Sequence, residues 1–369
     1  MADDEARDGD EGDDDGDEIL GFDRRKALLA VGLAVVLAVA AFALIGQVAD
    51  FGKLADAATK ADKAWFPLAL FGEVLAYVGY ILAYRDVARV EGGPRLRLWT
   101  VTRVVGLGFG AFVVGSSAGG LAVDFWALKR AGQKPQDAAR RVLALNTFEW
   151  GVLAWFAVLA AIAMLAGRGA GAPLAMTLAW LVVVPLCTAA AIYVSQPGRL
   201  ERLEDLGLDV DRPSGRSPGR WARWLWDKAK AGFAAAIGGV GLVRHMIARP
   251  LRHFGGLLGF PLYWLGDLIT LYAALRAFGA GIDPAPLVLA YTTAYVLTAL
   301  PLPAGGAGSM EAVLAFSLHA VGIPLAPALL AAFVYRAFGF WLPILPAVAL
   351  LPTIGRLNDE LPEAEPEQA

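Results

Sequence analysis

The chain is poor in what usually builds a soluble catalytic or metal site. Of its 369 residues, one is cysteine (Cys187) and three are histidine (His245, His253 and His319). A lone cysteine excludes a disulfide framework, and histidines without nearby Asp, Glu or Cys partners argue against a metal site. Charge is scarce too: 18% of residues, against about 25% in soluble domains. No phosphate loop of the form GxxxxGK[ST] is present, so that kind of ATP site is absent. No cleavable signal is apparent, because the first apolar run follows a long acidic tail without a small-residue cleavage site and reads as an anchor. Apolar residues, by contrast, make up 57%. They sit in long runs rather than in 3.6- or 2-residue stripes, which excludes an ordinary soluble enzyme, a disordered chain and a nucleic-acid-binding module. The expected class is an all-α integral membrane protein.

The formal net charge of −3 hides a segregation. Residues 1–26 carry 12 acidic and 4 basic side chains, and residues 351–369 carry 5 and 1, leaving 27 basic and 18 acidic residues between them. Residues 1–23 read as a disordered acidic tail, 353–369 as a second acidic tail, and 24–352 as the membrane body. A cationic body suggests contact with anionic headgroups on one face.

Residues 27–47 reach about 31 Å as a helix, one bilayer core. Arg24, Arg25 and Lys26 precede them and place the N-terminus in the cytoplasm. Residues 51–63 are amphipathic and are expected on the outer surface. Residues 64–84 cross back to a loop bearing Arg85, Arg89, Arg95 and Arg97. Residues 142–166 and 173–194 are ordinary spans. Residues 195–252 form a basic segment in which Arg220, Trp221, Arg223, Trp224, Trp226, Lys228 and Lys230 interleave indoles with cations, the pattern of an interfacial helix on anionic lipid rather than of a nucleic-acid site. Residues 254–278 and 327–350 complete six full spans, with both termini cytoplasmic.

Two stretches do not fit that scheme. Residues 98–128 are apolar but broken by glycine and serine at 115–120, including Gly119 and Gly120, and have basic clusters at both ends. They are too short for two spans and predict a re-entrant hairpin from the cytoplasm. Residues 286–322 repeat the theme. A short apolar run meets Pro301, Pro303, Gly305, Gly306 and Gly308, a second short helix follows, and neither end is basic, so this hairpin should enter from outside. Paired interrupted segments in two halves are the sequence mark of an inverted repeat with a midplane site. The alternative is close helix packing through small residues, as the spacing of Gly106 with Gly110 allows.

Ionisable side chains at membrane depth cost at least about 2.5–3.5 kcal/mol each, so each needs a reason. The candidates are Glu73, Arg103, Asp124, Glu149, Asp267, Arg276, Glu311 and Arg336. Arg103 and Arg276 lie near span ends, where long side chains snorkel. Glu73 and Asp267 fit either a site or hydrogen bonding within the bundle. Arg336, ten residues into a span, demands a carboxylate or phosphate partner, and Glu311, in the first turn after the glycine break, is the nearest candidate. Asp124 and Glu149 occupy comparable places in the first half.

The run Leu300, Pro301, Leu302, Pro303, Ala304, Gly305, Gly306, Ala307, Gly308, Ser309, Met310, Glu311, followed 24 residues later by Tyr335 and Arg336 and then by Trp341, Leu342 and Pro343, resembles the flippase-like transmembrane domain of lysylphosphatidylglycerol synthases. Gly119 and Gly120, leading to Lys129, Arg130 and Gly132, are similar to an earlier element of that family. Here Ser116, Ser117 and Asp124 stand where the family commonly has a proline and a basic residue, and Ala304 replaces a glycine. The resemblance, over roughly residues 27–352, implies a lipid-translocating membrane body. With no soluble domain expected after the last span, lipid lysylation does not carry over.

The reading is therefore a plasma-membrane flippase, not an enzyme and without cofactor or metal. It would move an aminoacyl-phospholipid or a polyprenyl-phosphate-linked sugar through a site of Arg336, Glu311, Gly305, Gly306, Gly308, Gly119, Gly120, Asp124 and Glu149. Its partners would be anionic or phosphate-bearing membrane lipids, with a homo-oligomer or partner enzyme also possible and nucleic acid excluded. The alternatives are a scaffold for a lipid- or glycan-modifying enzyme, or a headgroup enzyme using Glu149, Asp267 and Glu311 as acid or base. The hairpin topology has a direct check. A cysteine at Gly308 should be labelled by an impermeant thiol reagent from outside, and one at Ser117 only from inside; equal labelling from one face would refute it.

Overall fold

A computed structural model of the chain describes residues 51–167, 173–196, 235–299 and 306–361, with isolated positions between 32 and 43. Most of the predicted span at 27–47, the N-terminal tail, the aromatic and basic stretch at 220–230 and Gly305 lie outside the described residues. Among the described residues the regular elements are helical. They are α1 (Phe51–Thr59), α2 (Phe66–Arg89), α3 (Leu98–Arg130), α4 (Pro135–Leu165), α5 (Leu174–Val194), α6 (Ala235–Ala248), α7 (Phe254–Ala277), α8 (Pro284–Tyr295), α9 (Ser309–Ala320), α10 (Leu325–Arg336), α11 (Ile344–Leu350) and α12 (Ile354–Glu360). Five runs are long and apolar enough to cross a bilayer: Lys63–Gly92, Pro135–Leu165, Leu174–Val194, Phe254–Ala277 and Leu325–Glu360. They coincide with the five predicted spans that follow residue 50. The chain is a multi-pass membrane protein.

Burial separates the centre from the rim. α7 is largely buried, whereas α5 is mostly exposed, with Leu178, Val182 and Leu186 on its outer face. The centre is a crossing of α2 and α7 on glycine. A β-carbon on Gly72 would lie 2.5 Å from the carbonyl oxygen of Gly266, and one on Gly79 would lie 2.5 Å from that of Gly259. Only hydrogen fits there. The glycines are two helical turns apart on each helix and pair in opposite order, so α2 and α7 run antiparallel with backbones in contact. Thr270 Oγ1 donates to the carbonyl of Ala69 at 3.0 Å and pins the same seam.

The loop after α2 is tied down by charge. Arg141 of α4 donates to the carbonyls of Ala88 and Val90 at 3.0 and 2.7 Å, satisfying acceptors that a helix end leaves open. Glu91, with a left-handed φ of 50°, meets Arg140 at 3.1 Å and His245 at 3.3 Å. Arg140 and Arg141, in the basic cluster that follows the first hairpin, therefore serve the fold.

The segment α3 is helical throughout by its local hydrogen bonds, yet it doubles back. A β-carbon on Gly119 would run into the carbonyl of Ala111, and one on Gly108 would lie 3.8 Å from Asp124 Oδ1. Eight residues of straight helix rise about 12 Å, so these contacts require the chain to reverse between the arm Leu98–Phe112 and the arm at 118–130. The second hairpin is α8, continued by a 3-10 turn at Val296–Ala299, and α9 packed against it. The ends of the hairpins meet: Ala307 and Phe340 share an apolar cluster with Phe112.

One sequence expectation is refined and one changes. The predicted span at 327–350 lies within one helical run, Leu325–Glu360, but that run is not regular: α10 passes at Arg336 into a π-helical stretch, Ala337–Trp341. There Leu342 donates to Ala337 at 2.9 Å, and Pro343 has no N–H to offer the carbonyl of Gly339. Arg336 thus sits where the regular helix passes into the π-helical turn, inside the span. The residues after 353 do not begin a solvated tail either. In α12 Leu357 is fully buried, and Glu360 accepts from Arg103 at 2.6 and 2.7 Å and from Thr100 at 3.0 Å. Arg103 is therefore ion-paired rather than simply snorkelling.

The glycine crossing generates a stability test. Gly266→Val should lower thermal stability in detergent by about 1–3 kcal/mol or prevent folding, the cost of overpacking. Gly355→Ala, with nothing within 4 Å of its β-carbon position, should leave the melt unchanged. Equal melts for both variants would contradict the backbone contact.

Candidate functional site

A cavity of about 130 Å³ opens where the two hairpins meet the α2–α7 crossing. Each wall comes from one helical face. Glu73 and Tyr80 are seven apart on α2, Tyr263 and Asp267 four apart on α7, and on α4 Glu149 and Trp150 lie three and four residues after Asn146. The first hairpin adds Gly108, Phe112, Gly120 and Asp124, and the second adds Tyr295 and Thr298. Tyr335 and Arg336 of α10, with Gly339 and Phe340 of the π-helical stretch, close the remaining side.

The lining is unbalanced in charge: four carboxylates (Glu73, Asp124, Glu149 and Asp267) share the cavity with one guanidinium, Arg336. Asp267 is well served, because Tyr335 donates to its Oδ2 at 2.9 Å and Tyr291 donates to the same oxygen, the two hydroxyls lying 3.2 Å apart. Glu73 is not. It is 6% exposed, and its Oε2 has no hydrogen-bond partner.

Arg336 is held from two sides. Its Nε donates to Glu311 Oε1 at 3.3 Å, and its guanidinium lies 3.8 Å from the centre of the Phe340 ring, a cation–π contact. Glu311 is fully buried and accepts the N–H of Gly308 at 2.7 Å through its other oxygen. Gly306 and Gly308 have φ of 72° and 82°, a left-handed turn that favours glycine. One carboxylate thus closes the turn of the second hairpin and orients the arginine facing the cavity.

Of the residues singled out in sequence, Arg336, Asp124, Glu149 and Gly120 line the cavity together. Glu311 and Gly308 stand behind it, and the Gly308 amide is committed to Glu311. Gly306 shapes the turn, Gly119 packs against Ala111, and Gly305 lies outside the described residues. The cavity also takes in Glu73, Asp267 and the tyrosines 80, 263, 295 and 335, which the sequence did not assign to the site. For the two carboxylates the available signal is an ionisable residue in mid-span, and for Tyr335 its place beside Arg336 in the late motif; tyrosines 80, 263 and 295 carry none.

The profile of the lysylphosphatidylglycerol synthase TM region matches residues 29–347. The chain belongs to this family. The match takes in both hairpins, every cavity-lining residue and the Arg336–Glu311 pair, and assigns the chain a lipid-related function in the membrane. No curated protein matches the chain.

Removing one partner of a buried pair strands the other, at about 3–5 kcal/mol. Glu311→Ala should therefore destabilise the protein by that order, and Glu311→Gln, which can still accept from Gly308 and Arg336, by clearly less. Thermal melts that rank the two variants equally would show that the pair does not brace the hairpin.

Proposed function

We propose that the chain translocates an amphipathic lipid across the plasma membrane. The headgroup passes through the cavity between the hairpin ends while the acyl chains stay in the bilayer. The observation that carries this reading is an ionisable, tyrosine-rich hollow at the meeting point of two short helical hairpins, inside a chain whose outer faces are apolar. Moving a charged headgroup through hydrocarbon is opposed by desolvation, and fixed polar groups at depth offset that cost. In this reading the first hairpin enters from the cytoplasm and the second from outside, both termini are cytoplasmic, and the chain performs no bond chemistry.

The lining favours one of the two lipid classes. Four carboxylates and several tyrosine faces suit an ammonium, and Arg336 suits a phosphate. An aminoacyl-phospholipid carries both groups; a polyprenyl-phosphate-linked sugar offers the carboxylates nothing cationic. At about 130 Å³ the cavity is smaller than the roughly 300–1,000 Å³ of ligand pockets, so the hairpin ends must part to admit a headgroup.

Proteoliposomes carrying fluorescent lysyl-phosphatidylglycerol, with an impermeant quencher outside, test this. Protein should speed loss of the protected signal over protein-free vesicles, and more so than for fluorescent phosphatidylglycerol. Arg336→Ala and Asp124→Asn should slow it about tenfold or more, the equivalent of a charge-assisted hydrogen bond of about 1.5–3 kcal/mol. Rates equal to empty vesicles would overturn the reading. A new lipid product would point to an enzyme instead.

A further inference from the structure

The lipid reading does not explain Glu73. A carboxylate 6% exposed, with Oε2 unpartnered, is costly unless something occupies that oxygen. The nearest group of interest is a second carboxylate. A β-carbon at Gly339 would lie 3.4 Å from Glu73 Oε2 and 3.7 Å from Asp267 Oδ1, so the two oxygens border one small gap on the cavity wall. Gly339 belongs to the π-helical stretch, and its lack of a side chain leaves that gap open. Two carboxylates bordering one largely buried gap disfavour each other's ionisation, so the gap favours one of them holding a proton.

We propose that Glu73 and Asp267 form a proton site: Glu73 carries the proton, faces Asp267 Oδ1 across the gap and exchanges with water in the cavity. The step makes and breaks only O–H bonds, the proton passing from Glu73 Oε2 to a cavity water or to Asp267. Tyr291 and Tyr335 both donate to Asp267 Oδ2, which keeps Asp267 the acceptor and Glu73 the acid. Asp124 and Glu149, also lining the cavity, add negative charge, while Arg336 is engaged with Glu311 and Phe340. Tyr80, Tyr263 and Tyr295 also line the cavity, and a tyrosine hydroxyl brings no formal charge at neutral pH. A metal ion fits less well. Hard cations such as Ca²⁺ take six to eight oxygens, as a rule, and among the described residues no group of three or more His, Cys, Asp or Glu could hold one. A proton needs two oxygens.

Coupling this proton to headgroup movement rests on the translocation reading; the site itself does not. Infrared difference spectra of the full chain in nanodiscs, between acid and alkaline buffer, read it directly. Wild type should show a protonated-carboxyl band that disappears in alkali. Glu73→Gln should lose that band, Asp124→Asn should keep it, and Asp267→Asn should shift its position because the facing group has changed. Added sodium at fixed pH should leave it intact. A band that survives Glu73→Gln unchanged, is unmoved by Asp267→Asn, or is abolished by sodium alone overturns the proposal, and the Asp267→Asn result decides it if Glu73→Gln does not fold. In vesicles under a pH gradient, Glu73→Gln should lose any gradient response of lipid movement. A chain that shows the band but moves no lipid refutes the translocation reading alone, and one that moves lipid without the band refutes the proton site alone.

Discussion

Two helices touching through glycine hold the structure together. At the crossing of α2 and α7 the backbones meet at Gly72 with Gly266 and at Gly79 with Gly259, where no larger side chain fits. The residue after a seam glycine on each helix is a carboxylate, Glu73 or Asp267, so the contact that brings the backbones together also brings two acids to one cavity wall. Packing and chemistry share a cause here. Membrane helices gain little from the hydrophobic effect and associate through close van der Waals approach, so the same glycines carry much of the helix–helix affinity.

Around the crossing, the hairpins supply what continuous helices cannot. A helix that satisfies all its backbone groups presents only side chains to its surroundings. A broken one ends in turns and caps, tolerated at depth where protein covers them. Glu311 shows how that is arranged, since one carboxylate caps Gly308 and fixes Arg336 against Phe340. The π-helical stretch Ala337–Trp341 within the last span has a comparable effect, setting Arg336 and Gly339 on the cavity wall. Pocket and breaks coincide because each break in the helices is where polar groups converge.

Much of this was legible in the sequence, and the physical reasons are local. Long apolar runs report spans directly, and the glycine and proline at 301–308 report a break because those residues terminate helices. Glu311 and Arg336 were paired correctly because a mid-membrane arginine requires a partner and little else was near along the chain. The convergence of Glu73 and Asp267 was not legible. It depends on glycines far apart in sequence whose pairing has no local period, and a lone glycine in an apolar helix looks the same whether it packs or not. The docking of α12 was hidden for a similar reason. Glu360 meets Arg103 across 257 residues, while the surrounding composition reads as an acidic tail.

The coupling energy between Glu73 and Asp267 tests the crossing and its consequence most directly. A double-mutant cycle with Glu73→Gln, Asp267→Asn and the double variant, read by unfolding in detergent, isolates it. Acids brought together by the seam should be non-additive by about 0.5–3 kcal/mol, because neutralising either one relieves the same strain. Additivity within about 0.3–0.5 kcal/mol, as for residues that do not meet, would contradict the arrangement.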